Sequence, residues 1–441
     1  MRAMRRPPLS PVERQRASHA VGFLVWIAAV VMVVLWGRWL AADEDVGVGA
    51  PPFYGTYGWR LATDLAVPIG VALALVIVGP ALFRRMPSRL VAVSAGLLSV
   101  GWALVLQQAD DKSLTAPLTT RHDYLAGVAD VSAPGEYLRT FTERLPGYPI
   151  HVRSHPPGAV LIGWQLKELG HPGPAPFLGV VLAAWGLGVA AVLMALRALA
   201  GAEAARRVAL PVALAPAVIW VATSADALFA GVSAVGLALV VVALARGPSL
   251  RADALALVGG AAFGGALLLS YGTAPLVLVP VAVAFHRQRI RPLLAAAAGG
   301  AAVLGAMAAA GFWWFDGLSA VRAERQVGLS SDRPFSYFVV ANLAVFVVAC
   351  GPAVAIGAST VQPRVWQSQL WVLALGASVC LLIADLSGLS KAETERIWLP
   401  FVPWVLTVTA TTDERAIPMR LLVAGQVVCA IAVQAVLRSA W

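Results

Sequence analysis

Between Tyr148 and Ile162 the chain reads "YPIHVRSHPPGAVLI", two histidines, an arginine and a Pro-Pro pair set directly ahead of an apolar run. Some thirty residues earlier stands Asp123, followed by Tyr124, in "TTRHDYLAGVADVSAPGEYL". Carboxylates and imidazoles are the usual agents of proton transfer, and arginines the usual fixed donors to a charged oxygen. Other residues of this kind are Asp226 in "WVATSADALFAG", Tyr271 in "GGALLLSYGTAPLVLVP", Asp385 in "LLIADLSG", and Glu393, Glu395 and Arg396 in "KAETERIWLP". With His151, Arg153 and His155 they form the candidate set. Each has a plainer reading: Asp123 and Asp226 stand where an Asp caps a helix, and capping is compatible with contact to a substrate.

The elements that must position these groups are membrane helices. Of 441 residues, 59% are hydrophobic and 13% charged, and the mean hydropathy is +0.78; soluble domains do not have this composition. Apolar runs of roughly 17 to 25 residues recur along the chain, each long enough to cross a ~30 Å hydrocarbon layer as a helix. An outer-membrane barrel would instead show alternating segments of about ten residues. The net charge is +10, from 33 Lys and Arg against 23 Asp and Glu. No basic stripe interleaved with aromatics accompanies it, so it reports topology rather than a nucleic-acid partner. Cys350, Cys380 and Cys429 lie in apolar runs without metal-ligand spacing and read as small core residues.

Thirteen spans are expected, near 20–40, 62–83, 90–107, 175–198, 208–222, 227–245, 254–270, 274–285, 292–312, 338–358, 367–386, 398–410 and 421–437. The first is read as a retained span rather than a signal peptide, since no A-x-A site follows it. With the N-terminus cytoplasmic, "RRMPSR", "RALAGAEAARR", "RGPSLR", "HRQRIR" and "TTDER" all fall inside, as the positive-inside rule requires. Arg121, Arg153, Arg322, Arg325, Arg333, Lys391 and Arg396 then lie outside, as candidates for binding an anion. The longest hydrophilic stretch, 108–157, is outside as well. "HPPG" marks a helix start, because proline is tolerated in a first turn, and 158–170 reads as a short helix lying in the interface. The division expected is 1–89 (tail and two additional spans), a core over 90–405, and 406–441 (a cytoplasmic turn and the last span).

The order of these features resembles the GT-C superfamily of integral membrane glycosyltransferases, in particular its protein O-mannosyltransferase and aminoarabinose-transferase branch, as an actinobacterial-type member. The resemblance runs from about Leu90 to Val405. It rests on an exiting span, a loop with Asp123, the "HPP" start, a returning span, the Pro-containing "LPVALAPAVIW", the boundary "SAD", "GGALLLSYGTAPLVLVP" and "ETERIWLPFVPWVL". It implies an all-α, polytopic GT-C-like bundle with short interfacial helices in an extracytoplasmic loop. It also implies transfer of a sugar from a polyprenyl-phosphate donor to a hydroxyl of an envelope glycan, lipid or protein, with inversion, at the outer face of the cell membrane.

In that setting Asp123 matches the catalytic base, and Arg396 matches a late arginine that binds the donor phosphate, with Arg153 or His155 assisting. Tyr124, His151, Asp226, Tyr271, Asp385, Glu393 and Glu395 would line the substrate cavity. Many relatives have a second acid where this chain has Tyr124, a departure that bears on any divalent metal; no residue is assigned as a metal ligand. Mannose or arabinose is the cargo associated with such Ala-, Arg- and Gly-rich chains. Three alternatives stay open: a lipid or solute transporter or flippase, a non-catalytic partner in envelope assembly, and the acidic cluster Asp43 to Asp45 as the base in place of Asp123.

Overall fold

Small residues set how closely apolar helices can approach, and in this chain they sit where helices cross. The structure, a computed structural model, describes residues 9–43, 46–110, 112–327, 332–360 and 368–439; Glu44 and Asp45 of the alternative acidic cluster lie outside these. Helix α1 (Pro11–Asp43) is followed by strand β1 (Gly55–Tyr57), α2 (Ala66–Arg85) and α3 (Ser88–Gln107). The long polar segment carries α4 (Pro134–Thr140), α5 (Ile150–Arg153) and α6 (Gly158–Glu168). Next come α7 (Pro174–Ala213), α8 (Asp226–Ala245), α9 (Leu250–Leu267), α10 (Leu278–Arg287), α11 (Arg291–Ala309) and α12 (Trp314–Val327). Then follow α13 (Phe335–Cys350), α14 (Pro352–Ala358), α15 (Val372–Leu386), α16 (Thr394–Ile397), α17 (Val402–Val405), α18 (Met419–Val436) and strand β2 (Leu437–Ser439).

Among the described residues eight helices are long and apolar enough to cross a bilayer: α1, α2, α3, α7, α8, α9, α11 and α18. The chain is an all-α, multi-pass membrane protein. The other five expected spans take different forms, and proline explains most of them. Near 208–222, α7 ends just past Pro211 and a 3-10 turn at Pro216–Trp220 follows. Near 274–285 a 3-10 segment, Tyr271–Val277, precedes the ten-residue α10. The run 338–358 is bent by 97° where α13 meets α14, at Gly351 and Pro352. From 367–386 the helical part is α15, of 15 residues. The run 398–410 is a chain of short turns through Pro400 and Pro403.

Helix α8 is the axis: 78% of its apolar stretch is buried, against 11% for α1 and α11. Gly231 of α8 lies against the backbone of Ala184 in α7, Gly96 of α3 against Gly186 of α7, and Gly260 of α9 against Ala296 of α11. A Cβ at any of these would collide with main chain, which cannot swing aside. The two ends of the chain close onto this bundle. Strands β1 and β2 pair antiparallel, with Thr56 opposite Arg438, and Arg60 bridges Asp110 at 2.8 Å while donating to the Leu437 carbonyl.

The expected surface helix at 158–170 is α6. Its N-terminal prolines, Pro156 and Pro157, are buried, and Gly158 N–H donates to the Leu268 carbonyl at 2.9 Å where a side chain would strike that backbone. The "HPPG" sequence thus docks the start of α6 onto the end of α9.

Replacing Gly260 by Val should lower the thermal midpoint of the solubilised protein, with an overpacking cost of about 1–3 kcal/mol. Gly265 on the same helix faces open space, so Gly265→Ala should be tolerated. Equal midpoints for the two variants would contradict this account of the α9–α11 contact.

Candidate active site

Asp123 occupies the position before a 3-10 helix, Tyr124–Asp130, but its side chain makes no capping bond. It turns instead to α5, where His151 Nδ1 lies 3.3 Å from Asp123 Oδ2. The other oxygen, Oδ1, is buried without a hydrogen-bond partner, and the residue is only 1% exposed. His151 N–H donates to the His122 carbonyl at 3.1 Å, holding α5 against the Asp123 turn.

Tyr124 lies at the centre. Its ring packs on His151, His155 and Phe229 with centroids 5.7, 5.5 and 5.8 Å away, and its buried hydroxyl has no partner. Burial, reinforced by the Asp226 carboxylate, holds that phenol well above the usual range. His155 Nδ1 lies 2.9 Å from the His151 carbonyl. A carbonyl only accepts, so Nδ1 carries the hydrogen and Nε2 is left as the basic nitrogen. Burial pushes His155 down to about 4, with Asp226 partly opposing. It is therefore a neutral imidazole near pH 7, and its part beside Arg396 would be that of a hydrogen-bonding group.

Asp226 was expected to cap α8. It is instead the first residue of α8, whose N-cap, Ala225, has no side-chain capping bond; the Ser224 Oγ accepts from the Asp226 N–H at 3.3 Å and donates to Asp226 Oδ2 at 2.9 Å. The carboxylate is committed to Arg396, whose Nη1 lies 2.6 Å from Oδ2, and both side chains are 4% exposed. Arg396 Nη2 also binds Glu393 at 2.7 Å. Burial alone would weaken the guanidinium as a base; Asp226 and Glu393 outweigh it and raise Arg396 above its ordinary value. Glu393 is further approached by Arg333 at 3.7 Å. Asp123 and Arg396 thus share one neighbour, since the Tyr124 hydroxyl feels both charges together with those of Asp226 and Arg325.

Four expected site residues stand around this cluster rather than in it. Arg153 pairs with Glu324 of α12 at 2.7 Å. Tyr271 packs against Trp314 with the rings tilted by 58° and their centroids 5.2 Å apart. Asp385 accepts from Asn342 at 3.0 Å, and Asn342 in turn donates to the Ser390 carbonyl and accepts from Ala392 N–H. This braces the turn at Ala392 and Glu393, both at positive φ, 71° and 62°. Glu395 points away from Asp226, accepting from Tyr54 N–H at 3.2 Å.

Arg325, marked in the sequence only as one of the outward candidates for an anion, and Asn342, not marked there at all, stand beside this cluster. Arg325 donates to the Leu389 carbonyl, and its charge is felt at Tyr124, beside Glu393 and Arg396. Its signal was its place among the outward arginines. Asn342 had a signal too, as a lone amide in the apolar run "VVANLAVFVV".

The expected open pocket is closed here, with Asp123, Tyr124, Asp226 and Arg396 at 1–4% exposure. Helix α12 reaches across it, tied by Glu324 to α5 and by Arg325 to the loop before α16. Among the described residues no group of three or more His, Cys, Asp or Glu side chains is placed to hold a metal ion.

No family model matches the chain, and no curated protein does. Among solved structures it is similar to the crystal structure of ArnT from Cupriavidus metallidurans in the apo state, with 21% identity and a TM-score of 0.45. The match covers 74% of this chain and 61% of that one, so the chain spans about three fifths of the length of that structure. The reading of the site rests on its own geometry.

That geometry gives Glu395 a pH signature. Burial raises its carboxyl from 4.5 to about 7, Glu393 adding to the rise and Arg396 opposing it. Between those values the folded chain holds a proton that the unfolded chain has released, so stability falls as pH rises through the window. Glu395→Gln keeps an acceptor for Tyr54 N–H and has no charge to bury. It should be more stable than wild type at pH 8, by about 1–3 kcal/mol, and level with it near pH 4.5. Thermal midpoints across that range check this; parallel curves would refute it.

Proposed function

We propose that the chain is a membrane glycosyltransferase of the GT-C type, moving a sugar from a polyprenyl-phosphate donor to a hydroxyl acceptor at the extracytoplasmic face, with inversion at the anomeric carbon. The observation that carries this reading is the gathering of Asp123, Tyr124, His151, His155, Asp226, Glu393 and Arg396, from four separate stretches of chain, into one largely buried cluster. That cluster has the two parts the reaction needs, a carboxylate for the acceptor proton and guanidinium groups for the phosphate that leaves.

In this proposal Asp123 is the general base. The hydrogen bond from His151 fixes Oδ2, leaving the partnerless Oδ1 for the acceptor hydroxyl. As oxygen attacks the anomeric carbon, the proton passes to the carboxylate and the bond to the donor phosphate breaks, leaving negative charge on the lipid phosphate. Preorganised cations stabilise such charge as it develops. Arg396 is the first of these, and it must exchange part of its contact with Asp226 and Glu393 for phosphate oxygens. Arg325 is the second: its hydrogen bond goes to a neutral carbonyl, so an incoming anion need displace no carboxylate from it. Tyr124 takes the place of a second acid, and its hydroxyl is available to a sugar hydroxyl. Mannose and arabinose are the proposed sugars, and the proposed acceptor is an envelope glycan, lipid or protein.

The purified protein should transfer labelled sugar from polyprenyl-phosphate donors to an envelope extract. Asp123→Asn should reduce that rate by ~10² to 10⁴, the usual share of a general base, while donor binding and the thermal midpoint stay close to wild type. A correctly folded Asp123→Asn enzyme with normal turnover would remove Asp123 from its role. Vectorial movement of intact donor into vesicles, without transfer, would favour a flippase instead.

A further inference from the structure

At the far end of the bundle from the Asp123–Arg396 cluster, a cleft of about 310 Å3 opens between the end of α2 and the start of α18. The two sites are a helix length apart. Gln434 and Leu437, at the other end of α18, share a small cavity with Ile219 and Thr223, immediately before Asp226. Pro80, Ala81 and Met419 form apolar walls of the cleft, and Arg84, Arg420 and Glu414 supply its charges. Both arginines are exposed, and neither has a carboxylate within 4.0 Å among the described residues. Arg420 does reach back to the Ile77 carbonyl at 3.4 Å.

Two features point to a lipid rather than a solute. The arginines sit at the ends of two apolar helices, the depth at which headgroup phosphates lie, and basic pockets between membrane helices are the recurrent way of holding anionic headgroups. Below them Ile77, Val78 and Leu421 are exposed, an apolar surface that continues from the cleft along α2 and α18 and fits acyl chains. The charge pattern narrows the headgroup. Two guanidinium groups match a phosphodiester, while the Glu414 carboxylate accepts hydrogen bonds from hydroxyls and repels a second anionic group.

We propose that this cleft binds an anionic phospholipid whose headgroup carries hydroxyls beyond its phosphodiester, of the phosphatidylglycerol kind, on the face opposite the candidate active site. The proposal is independent of the transfer reaction: the protein could lack that activity and still hold the lipid.

The test uses the delipidated full-length protein in detergent, with retained lipid read by native mass spectrometry. Phosphatidylglycerol should be held about tenfold more tightly than phosphatidylcholine of the same chains, and Arg84→Gln/Arg420→Gln should lose most of that preference. Glu414→Gln should keep phosphatidylglycerol but no longer favour it over phosphatidic acid. If the double arginine variant fails to fold, Ala81→Trp, which fills the cleft and leaves every charge in place, should cause the same loss. Equal retention of the two lipids, unchanged binding in a folded cleft variant, or displacement of phosphatidylglycerol by millimolar inorganic phosphate would overturn the proposal.

Discussion

The Arg396–Asp226 pair constrains everything near the site. Two opposite charges 2.6 Å apart with 4% exposure have given up nearly all their hydration, and such a pair holds only where its geometry is good and its remaining valences are satisfied. Ser224 supplies one such bond to Asp226 and Glu393 one to Arg396 Nη2. Removing one partner of a buried pair typically costs about 3–5 kcal/mol, because the other charge is stranded. The backbone that delivers Arg396 bears a local cost as well. Ala392 and Glu393 both adopt positive φ, a region disfavoured for side chains with a Cβ. That turn is held by Asn342, which binds the Ser390 carbonyl, the Ala392 N–H and Asp385 at once. A polar triad inside the bundle thereby fixes a guanidinium in the site.

The irregular segments follow from the same requirement. Backbone that is not helical is tolerated at membrane depth only where protein or a polar cavity covers it. Here Pro216–Trp220, Leu399–Phe401 and Leu406–Thr411 are 3-10 turns, and each is almost wholly buried. Leu399–Phe401 packs on α8, whose first residue is Asp226, while Pro216–Trp220 packs on α18 and α3 and Leu406–Thr411 on α7 and α14. Proline breaks the helices, the breaks permit polar turns, and the turns bring Ser224, Asp226 and Arg396 together in a chain that is otherwise apolar.

Much of this was legible in the sequence. Hydropathy gave the multi-pass class, "HPPG" marked the start of α6 to the residue, and the polar positions Asp123, His151, Asp226 and Arg396 were singled out before they were seen to meet. What was not legible has physical causes. A hydropathy window measures apolarity and is blind to helicity, so it does not show that five of the thirteen expected runs are short or broken helices, four of them with Pro211, Pro216, Pro275, Pro352, Pro400 or Pro403 inside. Asp226 stands at a helix start, where an Asp often caps, yet it is the first residue of α8 rather than the one before it, and Arg396, distant in sequence, takes its carboxylate. The neutrality of His155 depends on burial under Phe229, its ring 5.4 Å away, and that neighbour is distant in sequence. Arg325 stood in the sequence as one of several outward basic residues, and only the fold that carries α12 over Tyr124 sets it apart from the others.

On the proposed function, the closed site explains how binding and opening are linked. Asp123, Asp226 and Glu393 face Arg325, Arg333 and Arg396, so the cluster is close to neutral as it stands. A phosphate cannot enter without either breaking the Arg396 contacts or engaging Arg325, and Arg325 belongs to the helix that covers the site. Engaging it therefore pulls on the end of α12, which is also held there by the part-exposed pair of Arg153 and Glu324, while its start is anchored by Trp314, whose Nε1 donates to the Leu267 carbonyl at 2.8 Å. A pair with that much water around it is worth little beside the sealed Arg396–Asp226 pair. On that reading the part of α12 that carries Glu324 and Arg325 is held less firmly than the Arg396–Asp226 pair beneath it.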